Sequence, residues 1–154
     1  MNWTIATLLV IAALAFAALF LPKKHGTTSI STKKPLTNPE QILYFKLTKA
    51  LPDHIVLAQV SYSRFIKTQG GSKKENWKKF ASLKQRVADY LVCTKDFSII
   101  AVIELDDSTH QSDKDNARDN DLKMANLRTL RWNVKNLPSE IEIKEAIKQM
   151  GVPQ

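Results

Sequence analysis

The chain has 154 residues, enough for one domain and an appendage, and carries 23 Lys and Arg against 15 Asp and Glu, a formal net charge of +8. That balance favours an anionic partner, either nucleic acid or a membrane surface, over a cationic one. Cys93 is the only cysteine, which excludes an intrachain disulfide and a cysteine-based zinc centre. Set in an apolar run, it reads as a small buried hydrophobe, and this cysteine usage fits a reducing compartment.

Trp3 to Leu21 contains no Lys, Arg, Asp or Glu. As a helix it would be about 28 Å long, close to the roughly 30 Å hydrocarbon core of a bilayer. A cleavable signal peptide is the rival, but Met1-Asn2-Trp3 is no basic leader and the run stops directly at Pro22-Lys23-Lys24. No face of the run is polar, which argues against a helix of a globular core. Residues 1–22 are therefore expected to form a single transmembrane anchor. Lys23, Lys24, Lys33 and Lys34 follow the span and no basic residue precedes it, so the positive-inside rule puts the remainder in the cytoplasm, on the inner membrane. Residues 23–36, rich in Lys, Thr and Ser, read as a basic flexible linker.

A globular domain is expected over residues 37–150. It opens with Asn38 as N-cap and Pro39 at the first helical position, or with Thr37 and Glu40 as a capping box. Ile42, Leu43, Phe45, Leu47, Ala50 and Leu51 supply the buried stripe of a helix ending near Pro52. Glu40, in its first turn, is a cap or dipole partner, or a site residue. His54 to Ile66 reads as one strand.

Lys67 to Arg86 is basic, and Gly70-Gly71-Ser72 makes its start a flexible loop. Lys73, Lys74, Lys78, Lys79, Lys84 and Arg86 are interleaved there with Trp77 and Phe80. Such a surface can grip a phosphate backbone and stack a base. The alternative is a solvated loop whose two aromatics tuck onto the core.

Val87 to Val92 and Phe97 to Leu105 read as paired strands joined by a turn at Thr94-Lys95-Asp96. The first holds one acid, Asp89, and the second ends in Glu104-Leu105-Asp106-Asp107, with His110 beyond. A lone carboxylate inside a strand costs several kcal/mol unless it is paired or binds a cation. Asp89 and Glu104 on neighbouring strands can face each other and hold Mg²⁺ or Mn²⁺. Asp106 shares the strand face of Glu104 and can add a ligand. His110, with an ordinary pKa near 6.5, can act as general base or be a plain surface residue. Alternatively these acids are only a solvated strand end and helix start.

A polar stretch follows, capped at Ser112 or Asp113, with a helix to about Leu127 whose Ala117, Leu122, Met124, Ala125 and Leu127 face inward while Arg118 and Lys123 project elsewhere. Thr129 to Val134 is a last strand. Ser139 and Glu142 cap a closing helix with Ile141, Ile143, Ala146, Ile147 and Met150, stopped by Gly151. The order is helix, three strands, helix, strand, helix, an α/β or α+β sandwich.

Asp89, the strand end Ile103-Glu104-Leu105-Asp106-Asp107-Ser108-Thr109-His110, then Arg118-Asp119 and Lys123 together carry a resemblance. Over residues 34–147 the chain resembles the bacterial family of domain of unknown function 2726. That family is assigned to the PD-(D/E)XK, restriction-endonuclease-like nuclease superfamily and is similar in this signature to very-short-patch-repair endonuclease-like proteins. The resemblance implies a core of order α-β-β-β-α-β, followed here by the closing helix. It implies Asp89 and Glu104 as metal ligands and Glu40 as an assisting acid, with Mg²⁺ or Mn²⁺ as cofactor and DNA as substrate. His110, Arg118 and Asp119 match signature positions. The superfamily's lysine, two residues after the second acid, is Asp106 here, so catalysis needs His110, Arg118 or Lys123 in its place.

The expectation is a membrane-anchored, cytoplasm-facing nuclease-like domain. Its catalytic set is Glu40, Asp89, Glu104, Asp106, His110 and Lys123. Its DNA contacts are Lys73, Lys74, Trp77, Lys78, Lys79, Lys84, Arg86 and Arg118. The rivals are a non-catalytic nucleic-acid-binding module on the same fold and a membrane-associated interaction protein.

Overall fold

The computed structural model describes residues 2–19, 28–106 and 113–151. The chain divides into two compact units, Met1–Lys33 and Lys34–Gln154. The first contains α1, Trp3–Leu19, 17 residues long. Its described apolar side chains, among them Trp3, Leu8, Leu9, Ile11 and Phe16, are exposed. At 1.5 Å per residue α1 is about 26 Å long, whereas a span needs about 20 apolar residues. Among the described residues no helix is long and apolar enough to cross a membrane, so the expected transmembrane helix is not met there. The remainder of the expected span, residues 20–22, lies outside the described residues.

In the second unit the described elements are α2 (Asn38–Ala50), β1 (Ile55–Ser61), a short 3-10 turn (Tyr62–Arg64), α3 (Lys73–Lys84), β2 (Val87–Cys93), β3 (Ile99–Asp106), α4 (Asp113–Met124), β4 (Thr129–Asn133) and α5 (Glu140–Met150). The strands form one sheet in the order β1-β2-β3-β4. β1 with β2 and β2 with β3 are antiparallel, and β3 with β4 is parallel, as a crossover through α4 requires. The fold is thus mixed α+β, with five α-helices and four strands among the described residues.

Two apolar clusters cover the two faces. Leu43 and Leu47 of α2 and Ile143 and Ile147 of α5 pack on Tyr90, Val92, Ala101 and Ile103. Leu83 of α3, Leu122 of α4 and Tyr62 pack on Leu91, Cys93 and Val102. Cys93 is buried, as expected of a small hydrophobe. Helix starts follow local chemistry. The Glu40 carboxylate accepts from the Thr37 backbone N–H and hydroxyl, and Ser139 and Glu142 cap α5 in the same reciprocal way.

The largest departure lies between β1 and β2. The segment expected to be a loop is, for residues 73–84, the helix α3. Ser72 caps it, accepting from the Glu75 N–H while Glu75 accepts from the Ser72 N–H, a pattern legible as Ser-x-x-Glu. Its Trp77 does not tuck onto the core; it is 73% exposed. The strand expected to reach Ile66 stops at Ser61 and turns through the 3-10 segment. Three apolar residues expected inward are exposed, Ile42 and Phe45 of α2 and Met124 of α4, as is Ile141 of α5. The core takes only one narrow stripe from each helix.

Candidate functional site

The acids meet where β2 and β3 run side by side. Tyr90 pairs with Ile103 and Leu91 with Val102, so the same antiparallel register carries Asp89 opposite Glu104. Residues opposite each other in a pair point to one face. That face is the one covered by α3 and α4, since Leu91 and Val102, two positions away on each strand, lie in that cluster. Asp89 Oδ2 accepts the Leu105 backbone N–H at 2.8 Å, which fixes the carboxylate against β3.

Glu104 is buried, and both oxygens have donors. Tyr62 Oη donates to Oε1 at 2.8 Å, and Arg118 Nη2 of α4 donates to Oε2 at 3.1 Å. The same Arg118 nitrogen also reaches Val87 O at 2.9 Å. Burial pushes the Glu104 carboxyl up to about 7, with Asp89 adding to the rise while Arg118, Tyr62 and Arg131 oppose it. Burial likewise raises Asp89; the Leu105 N–H opposes this, and Glu40 and Asp106 add repulsion. The Tyr62 hydroxyl is raised by burial and by Glu104, so it remains a donor.

Glu40 approaches from α2. It caps its helix through one oxygen, as already described, and its Oε1 accepts from Gln59 Nε2 at 3.0 Å. Gln59 lies beside Asp89 in the β1–β2 pairing, and its Nε2 stands 3.5 Å from Asp89 Oδ1. One amide therefore links two acids from different elements. Its backbone is left-handed, with φ 55°, although the residue is not glycine. Strain of this kind is held in place by surrounding structure and clusters at functional sites.

Asp106, on the same strand face as Glu104, is taken by Arg131 of β4, whose Nη1 lies 3.0 and 3.1 Å from its two oxygens. Nη2 of that arginine donates to Asp119. Arg131 stands opposite Glu104 in the parallel pairing.

Asp89 and Glu104 have the hard oxygen donors that Mg²⁺ or Mn²⁺ takes. Both are driven above their ordinary range chiefly by burial, with added repulsion from Asp89 at Glu104 and from Glu40 and Asp106 at Asp89, a penalty that a bound cation relieves. Among the described residues no group of three or more His, Cys, Asp or Glu could hold a metal ion. The described chain therefore offers this pair and no third such ligand.

The other expected site residues scatter. His110 lies outside the described residues. Lys123 lines a hollow at the far end of α4, away from Glu104's direct contacts. Lys79 and Arg86 both pair with Asp121, which is buried at 3% exposure, and Arg118 serves Glu104; these three expected DNA contacts are committed to internal acids. Lys73, Lys74, Trp77, Lys78 and Lys84 remain exposed on α3, with Lys84 Nζ 5.6 Å from the Phe80 ring centre.

Gln59, Tyr62, Asp121 and Arg131 were not anticipated. Gln59 and Arg131 each interrupt a short apolar strand, the same signal that marks Asp89. Asp121 gives no such signal among neighbouring surface acids. Residues 32–150 match the family described as protein of unknown function (DUF2726). No curated protein and no solved structure matches the chain.

Proposed function

The chain belongs to the DUF2726 family, and on that premise we propose that it is a nuclease-like protein of the PD-(D/E)XK, restriction-endonuclease-like type, hydrolysing phosphodiester bonds of DNA. The observation that carries this reading is Asp89 opposite Glu104 on one sheet face, both carboxyls raised. The order α2-β1-β2-β3-α4-β4 supports it, with α3 and α5 as additions.

Asp89 and Glu104 would hold Mg²⁺ or Mn²⁺, which when bound polarises a phosphate and lowers the pKa of a coordinated water. Gln59 and the Leu105 N–H orient Asp89. Tyr62 and Arg118 hold Glu104. With Asp106 where the superfamily has lysine, the local positive charge comes from Arg118 and Arg131, which can oppose negative charge developing on a phosphate. His110, which lies outside the described residues, or Lys123 would assist in removing the proton of the attacking water. The exposed lysines of α3, with Trp77, grip the strand.

From the uncharged sequence run Trp3 to Leu21 we further propose a single-pass anchor in the inner membrane, with the following lysines keeping the domain cytoplasmic. Alkaline extraction of membranes tests this; release of the full chain into the supernatant would refute it.

The deciding experiment incubates the full chain, purified in mild detergent, with duplex, single-stranded and branched DNA and Mg²⁺ or Mn²⁺. Cleavage that Glu104→Gln and Asp89→Asn abolish is expected. No metal-dependent cleavage of any substrate sinks the reading. A second reading, a non-catalytic nucleic-acid-binding module, is favoured by the Arg118 guanidinium already balancing Glu104. Salt-sensitive DNA binding that survives both substitutions, without cleavage, selects it.

A further inference from the structure

The second half of α4 and the start of β4 border an open hollow of about 470 Å³, lined by Asp119, Lys123, Asn126, Arg128, Thr129 and Arg131, with Leu127. Its charged lining is three cations and one acid. Arg131 is held in place by Asp106 and Asp119. Lys123 and Arg128 are not: among the described residues neither has an ion pair or side-chain hydrogen bond. Both are exposed. The hollow thus brings three cations to one place with a single acid, and that acid is spent on Arg131.

Lys123 lies in the last turn of α4, where a cation complements the helix dipole. That accounts for one lysine. Arg128 lies beyond Asn126, whose left-handed backbone (φ 54°) ends the helix, and its guanidinium stands beside Gly151 at the C-terminal end of α5.

We propose that this hollow is a phosphodiester-binding subsite for a polynucleotide strand, with Lys123 and Arg128 contacting the phosphate and Arg131 joining the subsite to the carboxylates. The inference rests on the nuclease-like reading. Its ligand chemistry is a phosphate anion, and a polynucleotide is favoured over a lipid headgroup by continuity with the acids. Arg131 touches Asp106 with one nitrogen and lines the hollow, and it stands opposite Glu104 in the strand pairing. A strand crossing the hollow is thereby led to Asp89 and Glu104, whereas a bilayer surface has no reason to meet them. The subsite lies on α4 and β4, separate from the basic surface of α3, and sets where the strand leaves the acids.

The test is fluorescence anisotropy with the full chain, a labelled single-stranded oligonucleotide and a salt series. The wild type is compared with Lys123→Gln/Arg128→Gln and with Lys74→Gln/Lys78→Gln on α3. Removing two phosphate contacts should lower the slope of log K against log salt by about 1.4 for a single strand. The Lys123/Arg128 variant should keep the wild-type melting temperature, since both side chains are exposed. Should it not, the single variant Arg128→Gln is read in its place, with half the slope change expected. An unchanged slope in a folded variant, while the wild type binds and the α3 variant is weakened, overturns the subsite and leaves the nuclease-like reading standing. A wild type that binds no oligonucleotide at low salt overturns both. Loss of binding to phosphatidylserine vesicles by the same variant, with oligonucleotide binding unchanged, assigns the hollow to lipid and also overturns the proposal.

Discussion

Arg118 of α4 places its guanidinium 3.1 Å from Glu104 Oε2 and, through the same nitrogen, 2.9 Å from the Val87 carbonyl. The buried acid is thus balanced by a cation that also spans two strands. The balance is incomplete, because burial still lifts the Glu104 carboxyl to about 7.

From this a pH dependence follows. Between the ordinary 4.5 and about 7, the folded chain keeps a proton on Glu104 that the unfolded chain has released. Stability therefore falls as pH rises through that window, and Asp89, raised in the same direction, adds to the fall. Glu104→Gln keeps an acceptor for Tyr62 but does not titrate. It should flatten the profile by an amount on the order of 1–3 kcal/mol at pH 8. Thermal melts of both proteins from pH 5 to 8 measure this, and parallel profiles would contradict it.

Divalent cations should reverse that loss. At pH 8, Mg²⁺ or Mn²⁺ at about 100 times its dissociation constant stabilises by roughly 2.7 kcal/mol through binding the folded state alone. At pH 5 protons compete and the effect shrinks. Asp89→Asn should remove the stabilisation at both pH values. A cation effect equal in wild type and variant would show that the ion binds elsewhere.

Asp121 is the second buried acid, with a side chain 1% exposed and two cationic partners, Lys79 and Arg86. Asp121→Ala leaves both unpaired. Breaking a buried pair costs about 3–5 kcal/mol, less here because Lys79 reaches solvent. Urea unfolding should show a loss of roughly 2–4 kcal/mol. Lys79→Ala should cost clearly less, since Arg86 remains. Equal losses would place the stability in Lys79 itself.

Gln59 separates backbone strain from side-chain contact. Gln59→Gly and Gln59→Ala both remove the amide that links Glu40 and Asp89. Only glycine adopts the left-handed backbone without cost, so Gly should be more stable than Ala by about 1–2 kcal/mol. Both should weaken Mg²⁺ binding to the same degree, read by titration calorimetry. A less stable glycine variant would remove the case for strain.

At the start of α3, Ser72→Ala should destabilise the domain by about 1 kcal/mol, as expected for loss of an N-cap. Ser72→Asp should restore it. Circular dichroism during urea unfolding detects both changes.

The strands around the acids were legible because apolar runs punctuated by a turn leave few alternatives, and Asp89 stood out for lack of a local reason to be there. The partner and direction of the last strand were not read, although the helix between β3 and β4 requires a parallel crossover. The helix α3 was equally legible in its capping box, but its lysine-rich composition lacks an apolar stripe, with only Leu83 fully buried. Asp121 carries no local signal, and Arg131, though marked by its place in an apolar strand, gives no hint of its partners. Their roles depend on cations and acids 35 and 25 residues distant in sequence, brought together only by folding.

Asp121 and Arg118 lie three positions apart on α4, less than one helical turn. Through Asp121 the helix is fastened to Lys79 of α3, and through Arg118 to Glu104. The two helices covering this sheet face are therefore mechanically in series with the acid. When α3 shifts under a load on its exposed lysines, either a buried ion pair breaks or α4 follows and carries the guanidinium along. A polynucleotide strand held on α3, as proposed, would thereby pull on the charge beside Glu104.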